Sequence, residues 1–327
     1  PDPMPGHGPV PGPAAPLRRE RLLGPIDLAR ARGLEIGPLA APFIAREGTN
    51  VLYADYLDAD GLREKYRADP NVDISRIVDV DVIWANRPLA ACLPPGTVVD
   101  YVLASHVMEH IPDLVGWFQE IAAVQPPGGL VALAIPDKRF TFDLLRAPSR
   151  LGDLVDAHLQ GLRRPAPWQV FDHHAHAVRL DDFRAAWEGR IDPAALARHA
   201  DAAIALHCAE QARAGVHLDV HCWVFTPRSL MQRLGELAAL GLLPYRCRAF
   251  YETEPCAIEM LLVLERCAED FDRAAATASF ADRAAGVADE IPARVLSLEA
   301  RLEAMRRSRS WRLTAPLRAM GRSLAGR

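Results

Sequence analysis

The stretch Val98–Asp143 decides the fold, and it reads VVDYVLASHVMEHIPDLVGWFQEIAAVQPPGGLVALAIPDKRFTFD. Its first apolar run, Val98–Ala104, is followed by a polar loop and then by a helical repeat over Pro112–Val124. A Pro-Pro-Gly-Gly turn leads into a second apolar run, Leu130–Ile135. Two apolar runs of strand length on either side of an amphipathic helix are typical of a β-α-β unit with two buried parallel strands.

Further strand and helix signals surround this unit. Before it, the pattern predicts strands at Gly33–Ile36, Val51–Ala54 and Ile77–Val80 and helices at Leu39–Arg46 and Ala59–Arg67. After it, a helix capped by Thr226-Pro227 runs to about Leu240, and strands are predicted at Tyr245–Glu252 and Ile258–Glu265. The segment between these last two strands is short enough for an antiparallel hairpin. The sequence therefore predicts an α/β fold with a doubly wound, mostly parallel seven-stranded sheet and an antiparallel last strand.

Composition divides the chain into three parts. Residues 1–27 are predicted to be a disordered leader, because eight of the first 25 residues are proline. Residues 28–266 carry the strand and helix signals, and within them residues 138–216 are predicted to be a helical insertion that caps the substrate side. Residues 267–327 are predicted to be a helical extension with a basic end, since residues 301–327 hold eight arginines and one glutamate.

Charge and cysteine usage narrow the class of protein. A net charge of −4 and an isoelectric point near 6.3 argue against nucleic acid as a partner. The six cysteines form no C-x-x-C pair, which fits a reducing compartment. No apolar run approaches the ~20 residues that span a membrane, and no secretory signal is recognisable. We therefore expect a cytoplasmic protein.

Polar residues at the predicted strand ends indicate a cofactor site. Gly37 and Pro38 close the first strand, Asp55 ends the second, and Asp81 flanks the third. Binding of a nucleotide diphosphate needs G-x-G-x-x-G, so that several backbone N–H groups reach the pyrophosphate. This chain has one glycine there, and it is followed by a proline, which has no N–H. A nucleoside cofactor without phosphates fits better, and Glu35 can face a cationic group.

Taken together, these pieces resemble the class I S-adenosylmethionine-dependent methyltransferases. The resemblance covers roughly residues 28–266 and includes Glu35-Ile36-Gly37-Pro38, Asp55, Asp100–His110, the Pro-Pro-Gly-Gly turn and the final hairpin. It implies S-adenosylmethionine as the cofactor. The implied contacts are Glu35, Gly37 and Pro38 near the methionine, Asp55 and Tyr56 at the ribose, Asp81 or Asp79 near the adenine, and Ser105 and His106 on the floor. The second and third glycines of the family's first motif are missing here.

A methyl acceptor that carries a hydroxyl group gains most from a base. The predicted catalytic residues are His106, His110, Asp137, His173 and His221. Glu109 and His110 have an alternative role at the start of the crossover helix, where they would cap it. Lys138 and Arg139 either bind an acidic acceptor or form a solvated charged surface.

The histidines of the insertion have two interpretations. The insertion is predicted to hold helices at Asp143–Leu162 and Asp181–Ala214, joined by a loop, Arg163–Val178. That loop contains Asp172-His173-His174-Ala175-His176, and with His217 and His221 it has the composition of a metal site. We favour a substrate-pocket or structural histidine cluster, so no metal ligand is predicted and a divalent metal stays a less favoured second cofactor.

The predicted function is O-methylation of a sugar or polysaccharide-related acceptor. The segment Ser308–Arg318 is similar to the ends of bacterial glycan-assembly proteins, glycosyltransferases included. Its mixture of arginines and apolar residues suits contact with a membrane surface or with a glycosyltransferase. Two alternatives remain open, a non-catalytic binding or scaffold module of a glycan-assembly complex and an enzyme that depends on NAD or a nucleotide sugar.

Overall fold

The computed structural model describes residues 15–285 and residue 287. Its strands form one seven-stranded sheet: β1 Arg32–Ile36, β2 Asn50–Asp55, β3 Val82–Ile83, β4 Tyr101–Ser105, β5 Leu130–Pro136, β6 Tyr245–Tyr251 and β7 Glu259–Arg266. The order across the sheet is β3-β2-β1-β4-β5-β7-β6. Only β7 is reversed, and it pairs antiparallel with both β5 and β6. The predicted α/β fold with its antiparallel last strand is confirmed.

The helices of the described residues are α1 Ala15–Leu23, α2 Ala59–Lys65, α3 Leu89–Cys92, α4 Leu114–Ala122, α5 Leu151–Leu159, α6 Pro167–His176, α7 Phe183–Trp187, α8 Ala202–Arg213, α9 Pro227–Ala239 and α10 Arg273–Ala284. They cover the two faces of the sheet unequally. The larger core joins one face to α3, α4, α5, α9 and α10. The smaller core joins the other face to α1 and to the chain around Ile44.

The β4-α4-β5 unit forms as its sequence predicts. Asp113 caps α4 by accepting a hydrogen bond from the backbone N–H of Gly116. Phe118 and Ile121 on the inner side of α4 are fully buried against the sheet. Burial of each such side chain adds about 1.5–3 kcal/mol to the free energy of unfolding, because apolar surface is removed from water. The crossover therefore fixes the parallel register of β4 and β5, whose carboxyl ends point to the same edge.

The prediction of a disordered leader over residues 1–27 is wrong for its second half. Residues 15–23 form α1, whose Leu22 and Leu23 are buried in the smaller core. Prolines end at Pro16 and resume only at Pro25, so the chain between them is free to form a helix. This helix therefore covers part of the second face of the sheet. Residues 1–14 lie outside the described part of the chain.

The helix predicted at Leu39–Arg46 is replaced by a series of turns. The Glu35 carboxylate accepts the backbone N–H groups of Phe43 and Ile44, at 2.6 and 2.9 Å. Those N–H groups would bond to carbonyl groups four residues earlier in a helix. Pro42 within the segment also disfavours helix formation, because it has no N–H to donate.

The strand predicted at Ile77–Val80 is also misplaced, because the pairing strand is Val82–Ile83. Ile77 is buried, but it follows a 3-10 turn and makes no strand pairs. Asp81 therefore lies at the start of β3 and not at its carboxyl end. The carboxyl end of this strand is Ile83, which Trp84 follows.

The insertion is helical, but its helices differ from the predicted ones. The loop predicted at Arg163–Val178 contains α6, which begins with Pro167 and has the N–H of Ala166 bonded to the Gln169 side chain. The first predicted helix is limited to α5, and the second is divided into α7 and α8 by residues 188–201. Pro148 and Pro193 lie in the parts that are not α-helical.

After β7 the chain forms α10, which packs against α9 and β6. The predicted basic end of the extension, residues 288–327, lies outside the described residues. Within the described part of the chain, the helices fall short of the length and hydropathy that crossing a membrane requires.

Candidate active site

The first loop after β1 is drawn close to the end of β4. Gly37 has φ +68°, a left-handed conformation that glycine adopts without steric cost. A Cβ atom at this position would lie 2.8 Å from Cγ2 of Val107. The Gly37 N–H donates to the carbonyl of Ala54 on β2, at 2.9 Å. The ends of β1, β2 and β4 thus enclose a backbone cradle that a larger side chain would fill.

Asp55 provides a buried carboxylate beside this cradle. It ends β2, and its Oδ1 accepts the N–H of Tyr56 at 2.8 Å. Burial raises its pKa to about 6, against the opposing effects of the Tyr56 N–H and of Lys65. At neutral pH the group is therefore ionised and can only accept hydrogen bonds.

Tyr56 links this strand end to the segment after the insertion. Its ring stacks on His217, with the ring centroids 5.7 Å apart and the planes at 23°. The Lys65 ammonium lies 4.8 Å from the Tyr56 ring centroid and forms an ion pair of 2.6 Å with Asp219. Residues 217–221, far away in sequence, therefore form one wall of the edge that contains Asp55.

The end of β4 is strained and charged. His106 has φ +55°, which in a residue with a Cβ atom costs on the order of 1 kcal/mol or more. Its Nε2 lies 2.9 Å from Glu259 Oε2. The guanidinium of Arg18 on α1 donates to both oxygens of Glu259, at 2.6 and 2.8 Å, and to Ser105 Oγ at 2.7 Å. The sequence analysis identified neither Arg18 nor Glu259.

A second group of histidines follows β4. His110 Nδ1 lies 2.8 Å from an oxygen of Asp219, and the His221 ring lies 4.7 Å away, edge to face. Burial alone would lower the pKa of His110, but the Asp219 carboxylate outweighs it and raises the pKa to about 9. His221 Nδ1 lies 2.6 Å from Asp143 Oδ2. Burial would raise the pKa of Asp143, but His221 and Arg146 hold it below its usual range.

His173 lies behind these residues in α6. It is buried, and burial together with Arg146 holds its pKa well below the ordinary histidine value. Its Nδ1 accepts the backbone N–H of His221 at 3.3 Å. Such a neutral, enclosed imidazole supports the placement of His221, and an acceptor cannot approach it from solvent.

Asp137, a predicted catalytic residue, does not have an available carboxylate. It is fully buried, and its oxygens accept hydrogen bonds from the backbone and guanidinium of Arg139 and from Thr253. Through these hydrogen bonds, Asp137 stabilises the turn after β5. Lys138 points elsewhere and donates to the carbonyl of Leu144 at 2.8 Å. Burial lowers the pKa of Lys138.

Two predicted cofactor residues, Glu35 and Asp81, have other partners, and a third, Pro38, is buried. Glu35 is buried and holds the turn after β1, and burial raises its pKa despite hydrogen bonds from Phe43 and Ile44. Asp81 is bonded to Arg46 and to the N–H of Tyr53, which turns it away from an adenine at the carboxyl edge. Pro38 is buried and shapes the loop.

The remaining residues fit S-adenosylmethionine. Gly37 permits close approach of the backbone, and Asp55 offers an anionic acceptor for ribose hydroxyl groups. Ser105 and His106 lie at the end of the neighbouring strand, on the same edge of the sheet. The single-glycine loop offers a pyrophosphate few N–H groups, because the Gly37 N–H is already bonded to Ala54.

Comparison with known proteins identifies the family. A family model described as a methyltransferase domain matches residues 14–190, which is more than half of the 327 residues. The chain belongs to this family, and the predicted enzyme class, an S-adenosylmethionine-dependent methyltransferase, is confirmed. The match begins at the start of α1, in agreement with the place of that helix in the fold. A search of the curated proteins finds no match to this chain.

Solved structures are similar only at low identity. The CurJ carbon methyltransferase is 11% identical, with 74% of this chain and 50% of that chain covered and a TM-score of 0.35. A protein from Rhodobacter sphaeroides described as a zinc-dependent alcohol dehydrogenase is 12% identical, with coverages of 79% and 92% and a TM-score of 0.41. Magnesium protoporphyrin IX methyltransferase (ChlM) from Synechocystis PCC 6803, solved with bound SAH, is 11% identical, with coverages of 77% and 81% and a TM-score of 0.34. The chain thus spans half the length of the CurJ structure, and these likenesses carry no argument about substrate.

Proposed function

We propose that this methyltransferase acts on a hydroxyl group of a sugar or polysaccharide-related acceptor. The observation that carries the proposal is the set of histidine–carboxylate pairs beside Gly37 and Asp55. A hydroxyl group must lose its proton as it is methylated, and an imidazole held by a carboxylate is suited to accept that proton. The sugar character of the acceptor is supported by the resemblance of residues 308–318 to the ends of glycan-assembly proteins.

His106 is the proposed base. Its side chain is 17% exposed, in contrast to the enclosed imidazoles of His173 and His221. Glu259 orients the ring through Nε2, and Arg18 holds Glu259 in place.

The protein's own residues would divide the work as follows. Asp55 accepts the ribose hydroxyl groups, and Gly37 lets the backbone approach the ligand. His106 takes the acceptor proton, and the Glu259 carboxylate stabilises the resulting imidazolium. When bound, S-adenosylmethionine supplies the electrophilic methyl group. Residues 138–216 would cover the acceptor and exclude water.

The test measures cofactor binding and methyl transfer separately. Calorimetry with S-adenosylmethionine, its demethylated product and NAD comes first, followed by transfer of labelled methyl to fractionated glycans of the host. His106→Gln should keep cofactor binding and lose most of the transfer, and Asp55→Asn should lose both. His158→Gln is the matched control, because His158 is also paired with a carboxylate, Asp113, but lies on α5.

The outcomes separate the alternatives. Binding of the cofactor without transfer to any fraction would favour a scaffold module of a glycan-assembly complex. Tight binding of NAD with no response to S-adenosylmethionine would contradict the proposal. Transfer only to thiol or carbon acceptors would refute its O-directed part.

Location and partners belong to the same proposal. A cytoplasmic location is supported by the cysteine usage, and the six cysteines are free thiols. Contact of the basic end with a membrane surface or a glycosyltransferase remains a prediction, since residues 288–327 lie outside the described part of the chain.

A further inference from the structure

Glu109 is a buried carboxylate that the methyl-transfer chemistry above does not use. Glu109 is 1% exposed to solvent. Within the described part of the chain, neither of its carboxylate oxygens has a hydrogen-bond partner. The His106 imidazole lies close to it, with Nδ1 3.7 Å from Oε1. An ionised carboxylate that is buried without hydrogen bonds lowers the free energy of unfolding by roughly several kcal/mol unless a cation compensates its charge.

Two imidazoles converge on this carboxylate. One ligand atom each from Glu109, His110 and His221 lies within 4.8 Å of the other two. His110 directly follows Glu109 in a 3-10 turn, and His221 comes from the segment that follows the insertion. The backbone holds that segment in place, because the N–H groups of Cys222 and Trp223 both donate to the Glu109 carbonyl, at 2.7 and 3.1 Å.

We propose that Glu109, His110 and His221 bind a divalent transition-metal ion. Two imidazoles and one carboxylate form a ligand set typical of Zn²⁺, Mn²⁺ or Fe²⁺, whereas Mg²⁺ and Ca²⁺ prefer oxygen ligands throughout. The set leaves coordination positions open for water or for a substrate oxygen.

The surroundings of both imidazoles support the assignment. Metal-binding histidines usually have a carboxylate at the second ring nitrogen, which orients the ring. Here Asp219 lies 2.8 Å from His110 Nδ1, and Asp143 lies 2.6 Å from His221 Nδ1. In each ring this leaves Nε2 for the ion.

The charges leave room for a cation at this point. Asp219 is paired with Lys65 at 2.6 Å, and Asp143 is paired with Arg146 at 2.9 Å. Both outer carboxylates are therefore already compensated by a cation. Glu109 has no such lysine or arginine partner among the described residues, and only imidazoles lie close to it. A divalent ion held by neutral imidazoles would therefore compensate its charge.

The geometry requires a small closure around the ion. Bonds of about 2.1 Å place neighbouring ligand atoms roughly 3–3.5 Å apart. The observed separations, up to 4.8 Å, are larger than this. Rotation of the Glu109 side chain would shorten its distances to the two imidazoles, and a small shift of either ring would bring the imidazole nitrogens closer together.

The ion's role in catalysis rests on the proposed function. A hydroxyl group bound to the ion becomes more acidic, because the ion stabilises the alkoxide. His106 would take the hydroxyl proton as the acceptor oxygen forms its bond to the methyl carbon, and the bond between that carbon and the sulfonium sulfur would break, releasing the demethylated cofactor product. Binding of the ion itself does not depend on the nature of the acceptor.

The experiment uses the full chain after treatment with a chelator. Co²⁺ serves as the probe, because its visible absorption reports nitrogen and oxygen ligands, and Zn²⁺ and Mn²⁺ are titrated by calorimetry. The expected result is one ion per chain for the wild type and a loss of affinity of at least about tenfold in Glu109→Gln, as removal of a ligand predicts. Asp143→Asn should weaken binding about tenfold while it leaves the three ligands intact. His158→Gln should bind as the wild type does.

Each result has a clear meaning. If the wild type binds none of the three ions, or if Glu109→Gln binds them equally well, the site does not exist. Circular dichroism and binding of the demethylated cofactor product show whether each variant is folded. Ion binding without methyl transfer to hydroxyl groups would refute the proposed function and leave the metal site standing.

Discussion

Replacement of Asp55 by asparagine should stabilise the cofactor-free protein while it removes cofactor binding. Burial raises the pKa of Asp55 from 3.8 to about 6. One pKa unit corresponds to about 1.4 kcal/mol, so the ionised carboxylate lowers the free energy of unfolding by about 3 kcal/mol at about pH 8. The residue is 9% exposed, so solvent screens little of this effect.

The sign follows from the direction of the shift. Because the folded-state pKa lies above the unfolded one, the stability associated with the protonated group is fully present below 3.8 and is lost as pH rises through about 6. The asparagine variant stays neutral throughout. Its advantage over the wild type should therefore be about 3 kcal/mol near pH 8, about 1.5 kcal/mol near pH 5, and close to zero below about pH 3.5.

Urea unfolding of the cofactor-free protein at several pH values measures this difference. Asp60→Asn is the control, because Asp60 lies nearby on α2 with an exposed side chain. In parallel, the demethylated cofactor product at about 100 times its dissociation constant should stabilise the wild type by about 2.7 kcal/mol. The same concentration should leave Asp55→Asn unchanged.

Two results would refute this reasoning. One is an Asp55→Asn variant that is no more stable than the wild type near pH 8, which would mean that the carboxylate is well solvated. The other is a gain that does not shrink toward pH 5, which would assign it to packing and not to ionisation.

Three further substitutions test other parts of the structure. Gly37→Ala should weaken cofactor binding by about tenfold or more, measured by calorimetry, because the left-handed backbone and the close approach to β4 both exclude a Cβ atom. Arg18→Ala should lower the free energy of unfolding by about 2 kcal/mol, measured in urea, because it leaves the buried Glu259 carboxylate with fewer partners. Gly33→Ala should lower the free energy of unfolding by about 3 kcal/mol in the same assay, since the added Cβ would lie 1.9 Å from the Tyr101 ring. If any of the three variants has the cofactor affinity or the free energy of unfolding of the wild type, the contact on which its prediction rests does not have the proposed effect.

The part of the fold that the sequence predicts best is the part with long periodic signals. The β4-α4-β5 unit and the final hairpin each contain several apolar residues at strand or helix spacing, and both were predicted close to their observed bounds. Strand β3 has two residues, too few for any periodicity, so Ile77 was mistaken for strand although it packs from a loop. The turn after β1 is held by hydrogen bonds from the backbone to the Glu35 side chain. Helix propensity does not predict such a contact between a side chain and the backbone.

The candidate site was only partly predictable for a similar reason. His106 and His110 follow a strand and could be identified as edge residues. Their partners are distant in sequence, with Glu259 separated from His106 by 153 positions and Arg18 from Glu259 by 241. A single sequence contains no signal for such pairs, and Asp137 was selected only because it follows a strand.

The position of α1 has a consequence for how the chain acquires its structure. This helix is synthesised before β5 and β7, against which it packs, and β7 follows it by more than two hundred residues. Until that strand is complete, α1 has no finished surface to dock on, and the sheet face beneath it stays open to water and to other chains. We therefore expect the amides of α1 to become protected last in pulse-labelled hydrogen exchange, after those of β4 and β5.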